Sequence, residues 1–332
     1  IAYYDDGTSA STTCSTGNNV ITQKEVPVRT NRNIVGGIDL STVLLGNCVT
    51  EIGNNAFDIW DDGHTHKAPY AFSNILLNNG LETIGDVAFR GCSGLTSVNI
   101  PNTVTSIGYG AFSGCTSLTG TITIPSGVTI INWAMFRSCK SLNSVSLPSG
   151  ITSVNEYAFN DCSNLMSVNL PDSVQTIEIA AFYGCRSLIS LSSLIPGELP
   201  NSLTTIGASA FRNCSGLTSV SIPSGGASIS SNAFSRCSGL TSVSIPSGVT
   251  YIGDSAFDDC TSLTQINIPN TVWYIGNSSF RGCNNAMSVL IGSGVTTIES
   301  SAFEGCSNLD YIEITAPTPP ELHEYAFYNT NN

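Results

Sequence analysis

Phenylalanine returns along this chain at a nearly fixed interval. Phe89, Phe112, Phe136, Phe159, Phe182, Phe211, Phe234, Phe257, Phe280, Phe303 and Phe327 each follow a small or flexible residue, and most are 23 residues from the next. A unit of that length cannot bury an apolar face by itself, so successive units must stack and share one core. The departures from the period are insertions between matching units: one extra residue near Gly120, six around Gly197 to Ser202, and one in the Pro317 to Pro320 stretch. Length alone, 332 residues, would also have fitted two ordinary domains.

One unit shows what the period contains. Between Cys92 and Phe112 the apolar positions are Leu95, Val98, Ile100, Val104, Ile107, Ala111 and Phe112, and Cys115 restarts the series. The Leu-x-x-Val-x-Ile-Pro part alternates as a short strand does, and the proline removes a ladder donor and ends it. The remainder predicts a turn, a second short strand and one helical turn. The expected fold is therefore a repeat solenoid of about 23-residue units, with a parallel β-sheet on one face and short strands, turns and helical turns on the other. At a rung spacing of ~4.8 Å the array would be roughly 50 Å long. Val49-Thr-Glu-Ile-Gly-Asn-Asn-Ala-Phe57 matches the second half of a unit, and Ile75 and Leu77 match the next strand, with a longer loop between them. Ala316-Pro-Thr-Pro-Pro320 followed by Tyr325-Ala-Phe327 reads as a closing half-unit. The expected division is residues 1–48 as N-terminal segment and cap, and 49–329 as solenoid.

Read across units such as Ile222 to Val243, the pattern Ile-Pro-Ser-Gly-Val-Thr-x-Ile-Gly-x-x-Ala-Phe-x-x-Cys-x-x-Leu-x-Ser-Val resembles the BspA-like leucine-rich repeat family, over roughly Thr50 to Asn329. That resemblance implies a curved solenoid of secreted or surface-anchored proteins, often bacterial adhesins that engage host matrix proteins or other cells. Its pattern consists of scaffold positions, so it points to the fold and leaves the ligand open.

Charge limits the partner. The balance of 24 acidic to 11 basic residues gives a net charge of −13, which disfavours nucleic acid, since that requires a basic face. No window approaches the ~18 apolar residues of a membrane span. No basic segment followed by an apolar stretch precedes the fold, consistent with either a removed signal peptide or a fragment.

Twelve cysteines would ordinarily suggest a disulfide framework. Cys92, Cys115, Cys139, Cys162, Cys185, Cys214, Cys237, Cys260, Cys283 and Cys306, however, occupy the same slot in successive units and predict one inward column of buried thiols. Cys14 and Cys48 lie outside it, and both a bridge between them and two free thiols fit a secreted chain.

The inventory is poor for catalysis. There are three histidines, no phosphate-binding loop with lysine and no Gly-x-Ser-x-Gly elbow, so no enzyme activity and no cofactor are expected. Asp61-Asp-Gly-His-Thr-His66 is the one local set of metal-ligand types; a solvated polar loop is the reading adopted for it, and no metal site is assigned.

The outward strand positions form two columns of small polar residues: Ser97 and Asn99, Thr121 and Thr123, Ser144 and Ser146, Ser167 and Asn169, Ser219 and Ser221, Ser242 and Ser244. Toward the C-terminus they change to Gln265 and Asn267, Leu290, then Tyr311 and Glu313. Tyr251 and Tyr274 share another slot in adjacent units, beside Trp273, where Ser106, Ser153 or Thr297 stands elsewhere. Exposed aromatics of this kind anchor interfaces or pack on sugar rings, and they also pack on one another between rungs. Tyr251, Trp273, Tyr274, Gln265, Leu290, Tyr311 and Glu313 are the candidate ligand-binding residues. The function they suggest is a secreted or surface recognition module for an extracellular protein, such as host matrix or another cell's surface, or for a glycan. A structural spacer or a self-associating fibre subunit is the alternative.

Overall fold

The computed structural model describes residues 2–4, 20–21, 42–45, 49–59, 72–191, 198–225 and 228–331. Most rungs contribute two strands; between Thr176–Ile177 and Thr205–Ile206 the first strand is reduced to single bridges at Ser190 and Glu198. Elsewhere the first is three to five residues long, as in Ser97–Asn99, Leu142–Ser146 and Gln265–Ile268, and the second is only two, as in Ser106–Ile107 and Tyr251–Ile252. Equivalent residues lie in register, for example Ser219↔Ser242, Val220↔Val243 and Ser221↔Ser244, because a parallel ladder between identical units aligns identical slots. The second strands form a continuous nine-stranded sheet from Ile130–Ile131 to Glu321–Leu322. At the N-terminal end Val20–Ile21 pairs in parallel with Glu51–Ile52, and Thr42–Leu45 with Asn74–Leu76. Ala2–Tyr4 pairs antiparallel with Thr42–Leu45. Next to the extra residue near Gly120 the register shifts: Gly120 pairs with Leu142 and Thr121 with Ser144, which leaves Asn143 as the bulged residue; Gly120 has φ +77, and its N–H donates to Asn143 Oδ1 at 2.9 Å.

The expected helical turns are not there: among the described residues every regular element is a strand, and none is a helix. The segment around each phenylalanine is instead a run of tight turns with a ladder of its own. Arg90 N–H donates to Val87 O at 3.2 Å and Cys92 N–H to Phe89 O at 3.1 Å, bonds that span three residues rather than the four of an α-helix. The N–H groups of Val87, Phe89 and Gly91 point along the solenoid, each donating at 2.7 Å to the next rung, at Tyr109, Ala111 and Ser113. Residues two before and two after the phenylalanine take left-handed φ, as at Val87 (48) and Gly91 (77) or Ser278 (53) and Gly282 (70), and a right-handed helix cannot pass through them. Rung-to-rung bonding satisfies the backbone, so no helix is required.

The three walls enclose one core. In the unit from Leu95 to Cys115 every apolar position named from sequence is buried, including Leu95, Val98, Ile100, Val104, Ile107, Ala111 and Phe112. Of the 13 phenylalanines all but Phe72 stack in a single column. Rings such as Phe211 and Phe234 lie 5.3 Å apart at 5°, an offset stack. Phe72 meets the first of them, Phe57, edge-on at 5.7 Å and 73°. The widest spacings, 5.5 and 5.6 Å, flank Phe136, where Met135 fills a slot that is alanine in most rungs.

Beside the rings run the cysteines, free and buried from Cys92 to Cys306. Each thiol donates to the carbonyl of the phenylalanine one rung earlier, for example Cys115 Sγ to Phe89 O at 3.2 Å and Cys162 Sγ to Phe136 O at 3.0 Å. That contact explains why the slot prefers cysteine to a branched apolar residue: a small apolar group also gives a second hydrogen bond to a buried carbonyl. Burial drives the thiols from Cys92 to Cys283 far above their ordinary range, Cys237 to about 12. They stay protonated at neutral pH, which the bond to a carbonyl requires. Among the described residues no helix is long and apolar enough to cross a membrane. The Asp61–His66 cluster, Cys14 and Cys48 lie outside the described residues.

Candidate binding surface

Side chains alternate inward and outward along each strand, and the parallel register then lines up the outward ones as columns. The seven candidate residues fall into two groups on separate sheets. On the first-strand sheet Gln265, Ser288 and Tyr311 are consecutive partners, as are Asn267, Leu290 and Glu313. Leu290 and Tyr311 are exposed, and the Tyr311 hydroxyl donates to Glu313 Oε2 at 2.8 Å. That carboxylate pushes the Tyr311 phenol up from its ordinary value, so the pair is a neutral hydroxyl leaning on an anion at physiological pH.

On the second-strand sheet Tyr251, Tyr274, Thr297 and Glu321 succeed one another. The Tyr251 and Tyr274 rings stack at 5.1 Å and 5°, and Trp273 is tilted against both, at 6.5 and 5.4 Å. Both tyrosines are half-buried, whereas Trp273 is 51% exposed. Local backbone explains how the corner is built. The Val272 N–H closes a turn on Pro269 O at 3.1 Å, and Trp273 O accepts from Thr296 N at 2.9 Å and Thr296 Oγ1 at 3.0 Å. Beyond the strand, a Cβ at Gly276 would meet Asp254 Oδ1 at 2.6 Å, so only glycine lets that carboxylate lie across the next rung, where it accepts from Asn277 N at 2.9 Å.

Asp254 and Glu299 give this patch an acidic border. Burial first, then Glu299 and Asp254, including a hydrogen bond to Glu299, raises the Tyr274 phenol to about 12; burial, Asp254 and Glu299 raise Tyr251 in the same direction. The hydroxyls therefore remain donors at any physiological pH. The arrangement offers flat apolar area, neutral hydroxyl donors and carboxylate acceptors, a set suited to holding a ligand by contact and hydrogen bonding.

The serine and threonine columns run along the first-strand sheet as expected. Thr121 Oγ1 and Ser144 Oγ lie 2.6 Å apart, and Ser144 is paired with Ser167. A second group of exposed aromatics, Tyr109 and Trp133, was not among the candidates. Its signal was present in the period: both stand three residues before a column phenylalanine, where Ala208 and Ser231 stand later.

The fold is matched by known proteins. A leucine-rich repeat protein from Bacteroides ovatus is 26% identical over 90% of this chain and 77% of its own, with a TM-score of 0.62. One from Eubacterium ventriosum is 18% identical over 89% and 92%, with a TM-score of 0.53, a likeness of fold alone. A leucine-rich cell surface protein from Faecalibacterium prausnitzii is 25% identical over 90% and 88%, at a TM-score of 0.44. A comparison with curated proteins finds no match. The profile of the BspA-type leucine-rich repeat region matches residues 65–189 and 188–310, with 6 copies. With well over half of its length matched and the rung geometry in agreement, this chain belongs to the BspA-type leucine-rich repeat family.

Proposed function

We propose that the chain is a non-enzymatic recognition module, secreted or displayed on a cell surface, that binds an extracellular protein or glycan through its repeat surface. The observation that carries this reading is the aromatic patch. In a column where small hydroxyl residues such as Ser153, Thr176 and Thr205 precede them, two tyrosines stack and Trp273 leaves half of its surface in solvent. Packing between rungs accounts for the Tyr251–Tyr274 contact; it does not use the outer face of Trp273. Large rigid rings lose little rotamer freedom on binding and dominate interface energetics. Family membership supports a binding role for the repeats and a place at the cell exterior.

The purified chain, screened against extracellular matrix proteins and a glycan array, is expected to find a ligand. Its affinity should fall at least about tenfold, ~1.4 kcal/mol, in Tyr251→Ser/Trp273→Thr/Tyr274→Ser. Equal binding by both proteins would move the site elsewhere on the repeats. A second reading, a spacer or fibre subunit, has one observation in its favour: Ile312, Ile314 and Leu322 are exposed although their partners Val289, Ile291 and Ile298 in the preceding rung are buried. Absence of any ligand, with filaments visible by electron microscopy, would favour it.

A further inference from the structure

The corner that follows the second strand carries a depression separate from the patch just described. Tyr109, Trp133 and Glu156 occupy one slot in successive rungs, as the turn-wall ladder shows: Val87 N–H donates to Tyr109 O at 2.7 Å, Gly110 N–H to Trp133 O at 2.8 Å and Ala134 N–H to Glu156 O at 2.9 Å. With Asn155 and Glu178 they line a cavity of ≈ 480 Å³. Tyr109 is 55% exposed and Trp133 42%, and Tyr157 braces Trp133 edge-on at 6.3 Å. The indole is therefore braced by a neighbour and still partly open to solvent.

The carboxylates supply the chemistry. Glu156 and Glu178 are half-buried, and neither carboxylate has an ion pair or hydrogen bond among the described residues. The arginine–aspartate pairs lie elsewhere, at Arg90–Asp58, Arg236–Asp259 and Arg281–Asp258. Partly desolvated, unpaired anions beside open aromatic faces favour a cation: the ring quadrupole attracts it and the carboxylates pair with it. A net charge of −13 over the chain steers cationic partners toward it. A planar guanidinium fits better than an ammonium, since it stacks on an indole and meets a carboxylate through two donors at once. We propose that this depression receives an arginine side chain of a basic polypeptide partner.

The site is separate from the Tyr251–Trp273–Tyr274 patch. The ladder passes from Ile177, next to Glu178, through Ile206 and Ile229 to Ile252, next to Tyr251, so three rung steps, about 14 Å of stacked strands, lie between the nearest residues of the two. Their tests are independent. A blocked peptide of alternating glycine and arginine, and its counterpart with citrulline in place of arginine, would be titrated against the full chain by calorimetry. The arginine peptide is expected to bind, more weakly at higher salt. The citrulline peptide, neutral and of the same shape, should lose at least about tenfold. Glu156→Gln/Glu178→Gln and, separately, Trp133→Ala should each lose a similar factor with an unchanged melting temperature, whereas Tyr251→Ser/Trp273→Thr/Tyr274→Ser should bind as the parent does. Equal binding of the citrulline peptide, or arginine binding indifferent to both the Glu156/Glu178 and the Trp133 variants, would overturn the assignment. So would binding of a neutral oligosaccharide that depends on Trp133.

Discussion

At the scale of single residues, the repeat makes each side chain comparable with its equivalents one rung away, and the exceptions become informative. Ser279 stands in the slot that holds Ala256 before it and Ala302 after it, all buried, and its hydroxyl has no hydrogen-bond partner among the described residues. A buried unpaired hydroxyl costs on the order of 1–3 kcal/mol, so removing it should help the fold. Ser279→Ala is expected to raise stability by about 1 kcal/mol in urea titrations; a loss of stability would mean that the hydroxyl has a partner in solution. Arg236 is another exception, a long side chain at φ 60 in a slot that is glycine at Gly91, Gly184 and Gly282. Its ion pair with Asp259, 3.7 Å long and largely exposed, is worth little against the strain of that backbone.

At the scale of the rung, sequence revealed the strands but not the turn wall. Alternation and the closing proline mark Ser97–Asn99 and its equivalents plainly, and equal spacing placed Phe, Ala and Cys in shared columns. The spacing of Phe89 and Cys92, three apart, mimics one turn of helix, and nothing inside a single unit says otherwise. The deciding bonds run between units, from Phe89 N–H to Ala111 O, and depend on left-handed φ at residues as unsuited to it as Val87. The same difference separates the two aromatic patches. Tyr251 and Tyr274 could be paired by their identical slot. Tyr109 and Trp133 share a slot just as plainly, three residues before Phe112 and Phe136, but only the folded corner brings Glu178 of a later rung beside them. Because a rung touches only its neighbours, damage within a rung should exceed removal of a whole one. Phe234→Ala is expected to cost ~3–5 kcal/mol, since the ring is fully buried between Phe211 and Phe257. Deleting residues 235–257, which joins equivalent points, should cost less in a thermal melt; a far more damaging deletion would undo the modular picture.

At the scale of the whole molecule, the cysteine column ties stability to pH. Burial holds the thiols from Cys92 to Cys283 above their ordinary 9.0, so folding is favoured fully below that value. As pH rises past about 9, the unfolded chain releases protons that the folded chain keeps, and stability falls. Each thiol contributes up to about 1.4 kcal/mol per pH unit over this range, and Tyr274 adds to the loss between its ordinary 10.0 and about 12. The urea midpoint should therefore be flat near neutrality and fall steeply above pH ~9, with a shallower fall when several column cysteines are alanine. An unchanged slope in that variant would detach the effect from the thiols.

The same column has a mechanical consequence. Pulled from its ends, a solenoid whose units contact only their neighbours gives way one unit at a time, and each detached unit of 23 residues pays out roughly 75 Å of extended chain. Each such step also takes one cysteine away from the phenylalanine carbonyl that held it and into solvent. Under tension the protein would lengthen in increments that are equal except at the inserted units, and acquire one reactive thiol per increment, a chemical count of how far it has been stretched.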